Sequence, residues 1–240
     1  MEVVPYKHSS QAKKEQIAQM FDNISEKYDF LNHLLSLGID ILWRKKAIQL
    51  LKKQNPQIIL DVATGTGDFA IEALALNPKK VIGVDISEGM LEQGRQKLQK
   101  KGIETRIELQ KGDSEKLLFD DNTFDAVIVA FGVRNFGHLQ QGLLEMKRVL
   151  KPGGTMLILE FSQPEKFPFK QIYQFYFKNI LPFIGRVIST DASAYSYLPE
   201  SVQVFPYGKE FVRILQEIGL QEVLCYELTF GISSIYVGKK

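Results

Sequence analysis

Only one residue in 240 is a cysteine, Cys225, so neither an intrachain disulfide nor a thiolate cluster can form. That poverty fits a reducing compartment, and Cys225, set in an apolar run, reads as a small core residue. Histidine is nearly as scarce: His8, His33 and His138 are far apart and show no HExxH-type spacing, so no metal is expected. Charge of one sign is missing too. Thirty basic against 28 acidic residues leave a formal charge of +2, which argues against nucleic acid as a partner. No window reaches the ~18 uninterrupted apolar residues of a spanning helix. The polar, lysine-rich start lacks the apolar core and small-residue cleavage site of a secretory signal. The expectation is a cytoplasmic protein, at most peripheral at the inner face of the cytoplasmic membrane.

What remains is enough for a sizeable core, since 45% of the residues are hydrophobic. From about Lys13 to Lys53 apolar residues recur at helical spacing, as in Ile17, Met20, Phe21 and Ile24, which predicts two or three helices ahead of the first strand. From Ile58 short β-rich runs alternate with helical stretches: IILDVA, VIGVDI, RIELQKGD, FDAVIVAF and TMLILEF. That alternation is the mark of a parallel sheet with helices on both faces. KPGG at Lys151 to Gly154 reads as the turn that ends one helix and sends the chain into the fifth strand. EVLCYEL and SSIYVG look like a closing antiparallel pair, for a seven-stranded, mostly parallel sheet in all.

The organisation expected is a single domain: an N-terminal helical lid over 1–55, a cofactor-binding core over 56–162, an inserted helical substrate lobe over 163–206, and a terminal helix with closing strands over 207–240. The inserted stretch is dense in aromatics from Phe167 to Phe183 and punctuated by Lys170, Lys178 and Arg186. It reads either as a helix packed on the sheet or a dimer interface, or as a greasy channel whose cations face anionic lipid.

The first β-rich run feeds ILDVATGTGDFA, in which Gly65, Gly67 and Ala70 fit the G-x-G-x-x-[GA] turn that opens a nucleotide-binding helix. In dinucleotide enzymes a pyrophosphate sits on that helix N-terminus. Here the position carries Asp68, and Asp61 ends the strand beside it. About 20 residues on, Asp85 stands where an acid accepts hydrogen bonds from ribose hydroxyls. Asp113 and Ser114 follow the third strand, within reach of an adenine amino group. A rim of acids suits a ligand with an adenosine end and a cationic end and disfavours two phosphates. S-adenosylmethionine is that ligand, with Asp61 and the hairpin Gly65-Thr66-Gly67 for its ammonium end and Asp85, Asp113 and Ser114 for the nucleoside. An NAD-dependent oxidoreductase would share the hairpin and Asp85, and a lipid-binding protein without chemistry could keep the same fold.

These residues resemble the motifs of Rossmann-like class I S-adenosylmethionine-dependent methyltransferases. YDFLNHLLSLGIDILWRK from Tyr28, RVLKPGGTMLILEFSQP from Arg148 and FGVRN from Phe131 resemble the signatures of the ubiquinone/menaquinone biosynthesis C-methyltransferase family, over nearly the whole chain. One departure is Asp40, where that family usually carries histidine three residues before the tryptophan, here Trp43.

The resemblance implies methylation of a ring carbon of a polyprenyl hydroquinone, such as demethylmenaquinol. A ubiquinone-pathway benzoquinol or another small-molecule acceptor stays open. It implies further that Arg134 lowers the phenol pKa and orients a water, that Asn135 hydrogen-bonds the ring oxygen, and that Tyr28 closes over the site from the lid. A purely structural reading has Asn135 capping the next helix, Arg134 in a surface ion pair, and Tyr28 and Trp43 packing. Peripheral membrane association and a homodimer are both compatible with this reading.

Overall fold

Parallel strands buried on both faces need continuous β-branched and aliphatic runs, and the chain supplies them at the predicted intervals. The computed structural model describes residues 3–180 and 191–240. Its sheet comprises β1 (Ile58–Val62), β2 (Lys80–Asp85), β3 (Ile107–Lys111), β4 (Phe124–Ala130), β5 (Leu150–Phe161), β6 (Gln221–Leu228) and β7 (Ser233–Lys239). Their order is β3-β2-β1-β4-β5-β7-β6. The first five are parallel, and β7 runs antiparallel to both neighbours. This is the seven-stranded, mostly parallel α/β sheet that the alternation predicts. The chain reverses direction across the sheet between β1 and β4, the switch point where such sheets bind ligands.

One local expectation is corrected. KPGG does not separate helix from strand, because Leu150 already pairs with Phe124 and the ladder resumes at Ala126 opposite Thr155. The Pro-Gly-Gly residues form a bulge inside β5, with Gly153 in the left-handed region at φ 75°. Cys225 is likewise only half-buried, on β6 at the sheet edge.

Helices α2 (Ile39–Leu51), α3 (Asp68–Ala73) and α4 (Glu88–Lys101) bury Leu51, Phe69, Leu91 and Leu98 against one face of the sheet. Helices α5 (Leu139–Val149) and α8 (Lys209–Glu217) bury Leu143, Met146, Phe211 and Leu215 against the other. Ser87 starts α4 with its hydroxyl accepting from the Met90 amide, and Gly102 ends it in the left-handed conformation.

The 23-residue α1 (Lys13–Leu35) belongs to neither layer. Its apolar stripe, Ile17, Met20, Ile24 and Leu31, packs with Ala194 and Tyr197 of α7 (Ala192–Val204) in a separate cluster. Between β5 and α7 the aromatic stretch forms α6 (Phe169–Phe175) and a π-helical turn over Tyr176–Ile180. Leu181, Phe183 and Arg186, and the side chain of Lys178, lie outside the described residues. Tyr176 donates to the Leu35 carbonyl at 2.8 Å, tying this stretch to the end of α1. Among the described residues no helix is long and apolar enough to cross a membrane.

Candidate functional site

The carboxyl ends of β1, β2 and β4 open onto a cavity that includes Gly65, Asp85, Asp113 and Ser114 in its lining. Gly67, with φ 84°, lets the hairpin turn straight into α3, and its amide bonds back to the Thr64 carbonyl at 2.9 Å. Asp85 holds this loop. Its two oxygens accept the Gly65 amide at 2.7 Å and the Ser87 amide at 2.9 Å, which leaves its remaining lone pairs for the cavity. Burial raises its pKa, against those backbone donors.

The loops after β1 and β4 meet closely: a Cβ on Gly132 would lie 2.6 Å from the Ala63 Cβ. Ala63 and Phe131, the residues just past the two strands, both have positive φ, 53° and 58°. Such strained backbone persists where surrounding structure over-determines it, commonly at ligand sites.

Beside this space a smaller cavity is lined by Tyr28, Asn32, Arg44, Asp61, Thr66 and Asp68 among others. Asp61 is buried; one oxygen accepts the Thr64 hydroxyl at 2.6 Å and the other has no partner. Desolvation pushes its carboxyl up to about 7, opposed by the Thr64 hydroxyl bond. A buried, half-satisfied carboxylate is what a cationic group would complete.

The four acids of the rim differ in their partners. Asp68 has its own cations, Lys97 at 2.7 Å and Arg44 at 3.6 Å, with His33 also at 3.6 Å. Asp113 pairs with Lys14 of α1 at 2.7 Å. Long-range pairing of this kind leaves no trace in local sequence. Asp61 and Asp85 alone of the four carry no ion pair among the described residues. Asp40, where the resemblance led one to look for histidine, is buried between Arg44, Ser36 and His33, whose Nδ1 stands 2.9 Å from it. A histidine is therefore present at this place, from α1 instead of α2.

A third cavity, mainly apolar, lies under α1 and α7. Tyr28 and Phe131 line all three spaces, and Asn135 lines the first and third. Burial pushes the Tyr28 hydroxyl up to about 12, with Arg134 and Arg44 pulling the other way, so it keeps its proton at neutral pH.

Arg134 and Asn135 sit in a 3-10 turn, Val133–Asn135, directly after β4. Neither structural alternative for them holds. Arg134 is not at the surface: Nη1 lies 2.8 Å from Glu160 Oε1, both side chains are buried, and the guanidinium sits 5.3 Å from the centre of the Phe161 ring. Asn135 does not cap α5, which starts at Leu139 after His138; its Oδ1 accepts the Tyr197 hydroxyl at 3.1 Å. Trp43 does pack, against Phe131 and Phe161, and donates to Thr229 at 2.8 Å.

Sequence reasoning missed Glu160 and Tyr197. A lone acid inside the apolar run MLILEF was a signal for the first. Nothing local marked the second.

The model of the ubiE/COQ5 methyltransferase family matches residues 9–240. A demethylmenaquinone methyltransferase of Bacteroides fragilis is 50% identical over 239 residues, covering 99% of this chain and 97% of that one. A ubiquinone/menaquinone biosynthesis C-methyltransferase UbiE of Geobacter sulfurreducens is 46% identical over 230 residues, covering 95% and 90%. Among solved structures, a SAM-dependent methyltransferase from Aquifex aeolicus shares the fold, with a TM-score of 0.57 at 22% identity, over 80% of this chain and 88% of that one.

Proposed function

The chain belongs to the ubiE/COQ5 methyltransferase family, and from that premise we propose that it transfers a methyl group from S-adenosylmethionine to a ring carbon of a polyprenyl hydroquinone, demethylmenaquinol being the substrate that fits the relatives' names. The observation that carries this reading is the meeting of three cavities at Tyr28 and Phe131: one with nucleoside-type acceptors, one with a half-satisfied buried acid, one apolar. A donor with a polar nucleoside end and a cationic end fills the first two. An apolar ring fills the third.

The residues present fit the donor. Asp61, with one oxygen unpartnered, suits its ammonium, while Asp85, Asp113 and Ser114 suit its ribose and adenine. Gly65, Thr66 and Gly67 shape the hairpin on which it rests. When bound, S-adenosylmethionine supplies an electrophilic methyl group on a sulfonium.

The chain must do the rest. The ring carbon becomes nucleophilic when a phenolic O–H loses its proton, and the new methyl group replaces a ring hydrogen, so that one proton leaves in balance. Tyr28 does not take the proton, because burial holds its own. No carboxylate or imidazole is among the described residues lining the apolar cavity. Water is the acceptor that remains. Arg134 lowers the phenol pKa by its charge and orients that water, and Asn135 donates to the ring oxygen as charge grows there. Tyr28 donates from α1, which acts as a lid that keeps bulk water out.

The inserted lobe accommodates the isoprenoid tail. Phe167, Ile172, Phe175 and Phe230 are exposed, and Phe169 stacks on Phe230, so α6 and its neighbours offer an apolar face with Lys170 beside it. That face sits on the inner surface of the cytoplasmic membrane and collects substrate there. Flotation with anionic liposomes should bring the protein up; protein that stays down as a dimer would reassign the face to self-association.

The experiment for the reaction is transfer of labelled methyl from S-adenosylmethionine to reduced naphthoquinols and benzoquinols, with calorimetry of S-adenosylmethionine against NAD alongside. Transfer to demethylmenaquinol and binding of the sulfonium donor alone are expected. Binding of NAD, or no transfer to either ring type, would overturn the reading.

A further inference from the structure

We propose that Tyr197 of α7 is a positioning residue for methyl transfer: its hydroxyl fixes which end of the Asn135 amide faces the reacting ring. The inference rests on the reading above in which Asn135 donates to the ring oxygen.

An asparagine amide can present either its carbonyl or its NH2 group to a ligand, and the two ends are nearly equal in size. The difference matters here. An NH2 group stabilises a developing phenolate, whereas a carbonyl oxygen in the same place repels it. Asn135 is buried and lies between the nucleoside cavity and the apolar cavity. Its backbone is held by the 3-10 turn, through the amide bond to the Gly132 carbonyl at 3.0 Å, but that bond does not select a side-chain orientation. The Tyr197 hydroxyl favours one, because a phenolic O–H, its lone pair delocalised into the ring, is a better donor than acceptor and pairs with a carbonyl oxygen in preference to an NH2 group. By donating to Oδ1 at 3.1 Å it occupies the carbonyl end and leaves the NH2 group as the donor for the cavity.

Tyr197 is itself fixed. Its ring is buried in the cluster that joins α7 to Ile17, Met20, Ile24 and Leu31 of α1. The partners stand 62 positions apart in sequence, on either side of β5 and α6, so the bond forms only when α7 is seated on α1. The seating of α7 and the polarity of the catalytic amide are thereby coupled.

Tyr197→Phe keeps the ring and removes the hydroxyl. The expected result is a fall of about tenfold in kcat for quinol methylation, with S-adenosylmethionine affinity by calorimetry unchanged and Tm lowered by no more than a few degrees. The same substitution in an Asn135→Ala background should cost nothing further. If Asn135→Ala alone leaves kcat within a few-fold of wild type, the underlying role of Asn135 is wrong. If Asn135→Ala is crippling but Tyr197→Phe stays within twofold of wild type, the positioning role is wrong. Equal losses in both backgrounds, or a lowered Tm with a matching loss of donor affinity, would assign the hydroxyl to packing and likewise overturn the proposal.

Discussion

Arg134 and Glu160 form an ion pair, 2.8 Å between Nη1 and Oε1, with the Glu160 side chain fully buried and that of Arg134 only 8% exposed. Glu160 also accepts the Phe161 amide at 2.8 Å, and burial raises its pKa against the pull of Arg134. Two charges held so far from water stand only while both are present. The pair therefore bears on both stability and chemistry, and a single substitution confuses the two.

Arg134→Ala leaves Glu160 buried and unpaired, a cost of roughly 3–5 kcal/mol. With about 2–4 °C of Tm per kcal/mol for a domain of this size, the variant should melt roughly 10 °C early. The double variant Arg134→Met, Glu160→Gln removes both charges and should recover most of that Tm. Methyl transfer should stay at least about a hundredfold down, the scale for losing one oxyanion donor. Scanning calorimetry with a single-turnover assay checks this; recovery of turnover with Tm would mean that Arg134 is structural.

The half-satisfied carboxyl of Asp61 ties ligand binding to pH. Its pKa rises from 3.8 unfolded to about 7 folded, so the stability it contributes is full at low pH and declines as pH climbs from about 4 through 7. Attraction for an ammonium runs the other way, because only the ionised acid supplies it. Affinity for S-adenosylmethionine should weaken as pH drops below about 7. Asp61→Asn should flatten both profiles, weaken binding at pH 8 by about tenfold or more, and raise the Tm of the ligand-free protein at that pH by a few degrees. Calorimetric titrations from pH 6 to 8.5 on both proteins decide it; an unchanged affinity in the variant would remove Asp61 from the site.

Helix α1 is latched along the cofactor edge by polar contacts. Asp22 accepts from the Ser87 hydroxyl at 2.6 Å, and Asp29 meets the Thr66 hydroxyl at 2.6 Å and Lys97 at 2.5 Å. Lys14 holds Asp113. Ser87 and Thr66 are buried, but the charged groups are partly exposed, so each ion pair is worth only about 0.2–1 kcal/mol and is screened by salt. Asp29→Asn should speed both binding and release of S-adenosylmethionine several-fold while changing Kd less, and 0.5 M salt should have the same effect on wild type. Stopped-flow fluorescence measures both rates; a change confined to Kd would mean that α1 is a fixed wall instead of a lid.

The alternating runs from Ile58 to Phe161 and the glycine hairpin are local signals, and period and turn chemistry suffice to read them. They determined the sheet, the strand tips and the placement of Gly65, Asp85 and Asp113 along one edge. Which acids would be free was decided elsewhere. Lys97 and Lys14 neutralise Asp68 and Asp113 across 29 and 99 residues of sequence, and Tyr197 reaches Asn135 across 62. The same holds for the burial of Arg134 against Glu160, 26 residues on. Backbone periodicity depends on neighbours a few positions away, whereas the charge state and orientation of a side chain depend on whatever the completed fold brings within 3 Å of it.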